Sequence, residues 1–266
     1  MKKTYLLLTL LALLILSISV NAQPLTGTKN IPGDYATIAA AVADLNTNGV
    51  GSGGVTFNVA AGHTETISAT IVLTATGTAS DPIVFQKSGT GANPLITAYT
   101  GGTGTPGSAT QDGIWALVGS DYVTIDGIDL LDPNTSNPAT MEYGYGLFKA
   151  SATDGCQNVT IQNCTITLKR VNNATGSGPA VEGSKGIEVV NATRTAHTTA
   201  LTPTSSAGSN SFNKFYSNTI QNCNYGIVIN GFAATSGVGP SPNPSTFLGD
   251  LNNDIGGTSA STGIPF

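Results

Sequence analysis

The sequence predicts an all-β solenoid, in which short strands turn around one axis and stack in layers. Three observations point to it. In Asp112–Pro133, Val123 and Ile125 share one parity while Ile128 and Leu130 share the other. One face of a strand keeps a single parity, so a bend at Asp126-Gly127 is needed for both halves to aim at one interior. The pattern then recurs. Val159 and Ile161 precede Asn163, Cys164 and Ile166 follow it, and Phe215 and Ile220 flank a corner at Ser217. Finally, a Gly followed by an aliphatic residue opens each unit, at Gly113-Ile114, Gly146-Leu147, Gly186-Ile187 and Gly226-Ile227. A unit this short cannot bury its own apolar face, so the units must stack.

The elements follow in chain order. Residues 1–22 read as an export signal, with Lys2-Lys3 as the basic end, Leu6 to Val20 as the apolar core and Val20-Asn21-Ala22 as the cleavage site. Pro24 to Gly33 reads as a polar lead-in. Ile38, Val42 and Leu45 then form one helical face that stops near Asn48-Gly49. Gly51 to Gly54 reads as a flexible turn, and Val55, Phe57 and Val59 as the inward face of a first strand. A helix placed there covers the open end of a solenoid, where bare strand edges would invite association. The expected organisation is therefore a signal at 1–22, a lead-in, helix and first strand at 23–60, and strand layers over 61–266.

Further strands are expected around Ile67–Leu73, Ile83–Gln86 and Leu95–Tyr99, separated by turn-rich segments. Thr100–Thr110, Asn172–Glu182, Thr193–Asn210 and Val238–Pro244 read as loops. The chain ends at Gly263-Ile264-Pro265-Phe266 without a closing segment, which suggests the N-terminal piece of a longer polypeptide.

Composition narrows the function classes. Charged residues make up 9% and there are 33 Gly, which excludes a protein of long surface helices, while 39% hydrophobic residues argue against disorder. Loss of residues 1–22 leaves eight Lys and Arg against 15 Asp and Glu, a net charge of about −7. Such a chain is a poor nucleic-acid binder, and once the signal is removed no membrane span remains. Three cysteines, Cys156, Cys164 and Cys223, permit no deduced pairing and read as buried or corner residues. His63 and His197 lie far apart with no Cys pair nearby, so zinc is not expected.

The helix followed by GGVTFNVAAGHTET, together with DYVTIDGIDL, NVTIQNCTI, NKFYSNTIQNCNYGIVI and NDIGGT, resembles the pectin-lyase-like superfamily. The resemblance covers residues 34–266. It implies a single-stranded right-handed parallel β-helix with an N-terminal amphipathic capping helix. That superfamily mixes polysaccharide lyases, glycoside hydrolases, adhesins and structural surface proteins, so the fold does not carry an activity. The overall style is similar to that of long secreted bacterial surface proteins.

Lyases of that superfamily pair a calcium-holding acid cluster with a Lys or Arg base, and its hydrolases use closely spaced acids. The acidic candidates in this chain are Asp121, Asp126, Asp129 and Asp132. In the stacked alignment Asp126 meets Gln162 and then Tyr216, and Asp129 meets Thr165 and then Thr219, so no acidic pair forms. Lys169-Arg170, Lys185, Arg194 and Lys214 read as turn or surface charges. Gly249–Gly257 imitates a calcium loop, but Ile255 stands where a Gly is required and no Glu closes it. Asn134, Asn158, Asn163, Asn173 and Asn191 begin N-x-S/T triplets of the kind that arise by chance in a Thr- and Asn-rich chain.

No catalytic residue, metal ligand or cofactor is assigned, and Ca²⁺ is the one ion that any stretch suggests. The strand openers place Trp115, Phe148 and Glu188 outward on one face, a candidate platform for a glycan or a partner protein unless a long loop covers it. The same parity puts Lys149 inward beside Ala116. The expected function is that of a monomeric, secreted cell-surface or matrix module, structural or adhesive, that meets a polysaccharide or a cell-surface protein. The alternative is a polysaccharide lyase or glycoside hydrolase acting on acidic polysaccharides.

Overall fold

The computed structural model describes residues 23–102, 110–134, 141–169, 183–231, 248–259 and 264–265. The export signal, the 172–182 and 238–244 loops, Asn173 and Arg170 lie outside the described residues, as does most of the 100–110 loop. The chain opens with β1 (Leu25–Ile31), α1 (Ile38–Asn48) and β2 (Val50–Ala60). It continues through β3 (Thr64–Thr66), β4 (Ile71–Leu73), β5 (Ile83–Ser88) and β6 (Leu95–Thr97). Then come β7 (Gly113–Val118), β8 (Val123–Asp126), β9 (Asp129–Leu131), β10 (Tyr143–Phe148), β11 (Thr160–Gln162) and β12 (Thr165–Thr167). Last are β13 (Lys185–Val190), β14 (Lys214–Tyr216), β15 (Thr219–Gln221), β16 (Tyr225–Asn230), β17 (Asp254–Ile255) and β18 (Ile264–Pro265).

These strands form three sheets. Sheet A runs β1-β2-β5-β8-β11-β14-β17-β18, sheet B runs β15-β12-β9-β6-β3, and sheet C runs β16-β13-β10-β7-β4. From β7 onward the chain visits C, A and B in turn, so each strand pairs with its counterpart one circuit later. Among the described residues the named strands pair in parallel, apart from β17 with β18.

Two inward columns stand as the parity flip predicts. Ile125 is level with Ile161 and Phe215 in sheet A, and Leu130 with Ile166 and Ile220 in sheet B. The corner between the two sheets is a left-handed backbone conformation at Gly127, Asn163 and Ser217, with φ of 67°, 57° and 51°. The corner entering sheet A repeats the device at Tyr122, Asn158, Phe212 and Asn252. Gly and Asn tolerate that conformation readily, whereas Tyr122 and Phe212 are held in it by their neighbours.

Corner amides also satisfy backbone groups that no strand pairs. Asn213 Oδ1 accepts from Val159 N while its Nδ2 donates to Cys156 O, and Asn218 does the same for Cys164 N and Ile161 O. A buried corner without such partners would carry orphaned polar groups.

The helix α1 begins at Thr37, whose side chain accepts from Ala40 N, and ends at Gly49 with φ 72°. Its buried face is Ile38, Ala41, Val42 and Leu45, which join the main core. The Glu65 carboxylate accepts from Ile38 N and Ala39 N, an acid placed at the positive end of the helix. Asn46 donates to Val72 O and accepts from Thr74 N and Ala75 N, joining the helix to the end of β4.

Two local readings need correction. The polar lead-in contains the seven-residue strand β1, parallel to β2. It has almost no apolar alternation because β2 recruits it through backbone hydrogen bonds. Gly51–Gly54 is part of β2 rather than a flexible turn. Gly54 has φ 76°, and a Cβ there would come within 2.4 Å of Pro82 O. Here glycine serves close packing between layers.

Cys156 and Cys164 are buried, Cys223 is half-buried, and all three are free thiols. Among the described residues no helix is long and apolar enough to cross a membrane.

Candidate functional site

The outward residues of sheet C, where the sequence placed a platform, are covered instead. Trp115 is level with Tyr145, Ile187 and Ile227, so it faces the interior. There it joins a run of aromatic rings. Phe57 stacks on Phe85 at 4.4 Å, Phe85 meets Trp115 edge-on at 5.2 Å, and Trp115 lies 5.9 Å from Tyr145. The orientation expected of Trp115 came from pairing Ile114 with Leu147, whereas Leu117 is the true partner of Leu147. That slip of three residues turns one strand over.

Phe148 and Glu188 do lie on the outer side of sheet C, yet neither is exposed. Phe148 belongs to a second apolar cluster with Ala116, Tyr143, Val190 and Ala192. The segment after β13 closes over that cluster. Its neck is tied by Leu201 N donating to Asn191 O and by Asn191 Nδ2 donating to Leu201 O at 2.7 Å. Its His197 ring packs edge-on against Phe148 with centroids 5.7 Å apart. The expected excursion at Thr193–Asn210 therefore acts as a cover.

Beneath the cover lies a polar cluster that sequence reasoning missed. Lys185 Nζ is 3.2 Å from Glu188 Oε2 and donates to Gln111 Oε1 at 2.8 Å. His197 Nε2 lies 3.2 and 3.3 Å from the two Glu188 oxygens. The Lys185, Glu188 and His197 side chains are fully buried. Burial alone would raise the Glu188 carboxyl, but the Lys185 ammonium and His197 outweigh it and hold it below its ordinary value. Lys185 is thus no surface charge, because the tertiary fold brings Gln111 to it from 74 residues away.

The cluster continues to the start of β7 and β10. Asp112 accepts from Tyr99 OH at 2.9 Å and from Gly102 N at 2.7 Å, and Asp112 N donates to Glu142 Oε2 at 2.7 Å. Glu142 and Asp112 thus form an acidic pair on adjacent layers, whereas Asp126 is level with Gln162 and Asp129 accepts from Thr165 N. Burial pushes Glu142 up to about 7; the bond from Asp112 N opposes this and the Asp112 charge adds to it. The signal was present as acids beside two strand starts, but the register that stacks them was misread.

The sequence-named acids serve the corners. Asp126 accepts from Gln162 Nε2 at 2.8 Å and from Asn163 Nδ2 at 2.6 Å, and Asp129 accepts from Thr165 N and Asn93 Nδ2. Asp121 accepts from Gln157 N; burial raises it to about 6, with nearby Asp154 adding to the rise. Burial also raises Asp132. In the 249–257 stretch, Asp250 accepts from Asn210 N, Asn253 from Asn213 N and Asp254 from Tyr216 OH. Lys149, just past the end of β10, is buried, donates to Gly208 O and lies 3.7 Å from Asp250; it is not inward beside Ala116, which is level with Gly146 in the outer cluster. Among the described residues no group of three His, Cys, Asp or Glu could hold a metal ion.

Clefts flank the cover on both sides. One of about 310 Å³ is lined by Val72, Thr74, Val118, Thr193, Arg194 and Thr195, among others. The other, of about 160 Å³, includes Asn191, His197, Thr198 and Asn230. The outer face of sheet A is different in kind. Asn58, Gln86, Asp126 and Gln162 stand level from layer to layer, half-exposed, and Gln86 Nε2 donates to Asn58 Oδ1 at 3.0 Å. No family model, curated protein or solved structure matches this chain.

Proposed function

We propose that the chain is a right-handed parallel β-helix of the pectin-lyase-like kind, capped by α1 and exported with loss of residues 1–22. In this reading it works outside the cell as a structural or adhesive module that binds a polysaccharide or a cell-surface protein. The observation that carries the proposal is the sheet-A ladder of Asn58, Gln86, Asp126 and Gln162. Parallel strands repeat about every 4.8 Å, so the ladder offers amide and carboxylate groups at regular intervals to a linear, hydroxyl-rich polymer. Trp115, Phe148 and Glu188 do not carry it, since each is fully buried. Titration of the folded protein with pectin, alginate and chondroitin tests the reading. Binding weakened in a double Asp126→Ala, Gln162→Ala variant is expected, and no binding to any of them would sink the glycan part.

One observation favours the second reading, an enzyme acting on acidic polysaccharides. Glu142, pushed up to about 7 beside the Asp112 carboxylate, resembles the raised acid of a glycosidase pair. Reducing ends or unsaturated uronate released by wild type and not by Glu142→Gln would establish it. An inactive wild-type chain would remove it.

A further inference from the structure

We propose that Lys185 and Gln111 become joined by an isopeptide bond inside the folded protein. The proposal rests on three buried side chains already in contact. Lys185 Nζ lies 2.8 Å from Gln111 Oε1, one bond from the carboxamide carbon it would attack. It also lies 3.2 Å from Glu188 Oε2, the base that would take its proton. Among the described residues Gln111 Nε2, the group that would leave, is buried with no hydrogen-bond partner to hold it back. Reacting groups in near-attack contact gain most of the advantage of an intramolecular reaction, and side-chain amines and carboxamides are otherwise inert to each other in water.

The surroundings suit the chemistry. His197 contacts both oxygens of Glu188 and aligns the carboxylate, while its ring seats against Phe148. Lys185, Glu188 and Gln111 are closed off from bulk water, so solvent does not compete with the amine for the carboxamide carbon. Lys185 gives one proton to Glu188, and the freed amine attacks the Gln111 Cδ to form a new C–N bond. The bond from Cδ to the original amide nitrogen then breaks. That nitrogen takes the proton from Glu188 and the remaining surplus proton of the Lys185 nitrogen, and departs as ammonium. Glu188 is regenerated, and no oxidant, reductant or co-reactant is needed.

The cross-link would span from the segment before β7 to β13, with β10 between them, and would enclose the intervening chain in a covalent loop. It does not depend on what the solenoid binds. Its signature is a loss of about 17 Da, the mass of ammonia, a change that covalent chemistry alone produces. An N-terminal Gln23, if exposed by signal cleavage, cyclises with the same loss, so peptide mapping decides rather than intact mass.

A tryptic digest of the folded wild-type protein is expected to yield one branched peptide carrying both Gln111 and Lys185, with no cleavage after Lys185. Recovery of the two peptides separately, each at full mass, would overturn the proposal without any variant. Glu188→Gln keeps both reacting residues and is expected to abolish the branched peptide while retaining the β-sheet circular dichroism spectrum. If the branch persists in that variant, the role given to Glu188 is wrong.

Discussion

The outer faces of sheets A and C are built from the same parallel strands over one interior, yet they carry opposite environments. On sheet A the outward column Asn58, Gln86, Asp126 and Gln162 is half-exposed and polar. On sheet C the corresponding outward positions, Ala116, Phe148, Glu188 and Val190, are buried under the 191–201 segment. Strand geometry sets which side a residue takes. Whether that side is surface or second core depends on the segments between strands.

Several changes would break or sharpen this contrast. Trp115→Ala removes the central ring of the interior aromatic run and should cost about 3–5 kcal/mol in chemical denaturation. A cost near zero would place Trp115 outside the core. Gly144→Ala is next. A Cβ there would meet Gly186 O and Ile166 Cγ2, both at 2.6 Å, so the two layers must part, at a cost of about 1–3 kcal/mol.

His197→Ala tests the cover itself. It removes the ring contact with Phe148 and the bond to Glu188, and about 1–2 kcal/mol should be lost locally. Amide exchange is expected to quicken over 191–201 while the sheet-A strands stay protected; uniform quickening would mean the cover is not a separate unit.

Two acids supply a pH arm. Glu142 and Asp121 have folded values raised to about 7 and about 6, above the ordinary 4.5 and 3.8. The folded state therefore holds these protons more tightly than the unfolded one. Their contribution is fully present below the unfolded values and is lost as pH rises, through about 7 for Glu142 and about 6 for Asp121. Thermal midpoints should fall across that window, and Glu142→Gln should flatten the upper part of the fall. The smallest effect belongs to the open face. Asp126→Asn on sheet A should stay within about 0.5 kcal/mol, as surface substitutions do.

Much of sheets A and B was legible because their signals are local. The flip between Ile125 and Ile128 reports a corner within four residues, and the chain places Gly127, Asn163 or Ser217 at that point. The helix was legible through Ile38, Val42 and Leu45 and its Gly49 stop. β1 was hidden because its residues are polar and its pairing comes from the backbone. Sheet C was misread at GIWALV and YGYGLF, whose residues are buried on both faces apart from half-buried Val118. A strand buried on both sides carries no alternation from which register could be read.

The candidate site was harder still. Asp112 and Glu142 become a pair only once β10 is set beside β7, and Gln111 meets Lys185 only across the layer between them.

Taken alone, the order of residues determined the turning points of the chain and the columns of Ile and Leu that line sheets A and B, since parity and left-handed corners act over a few residues. The tertiary structure decided the register of sheet C, the burial of its outer face and the meeting of Lys185, Glu188, His197 and Gln111. Those depend on contacts between distant layers and on a loop folding back over its own sheet, which no short-range pattern encodes.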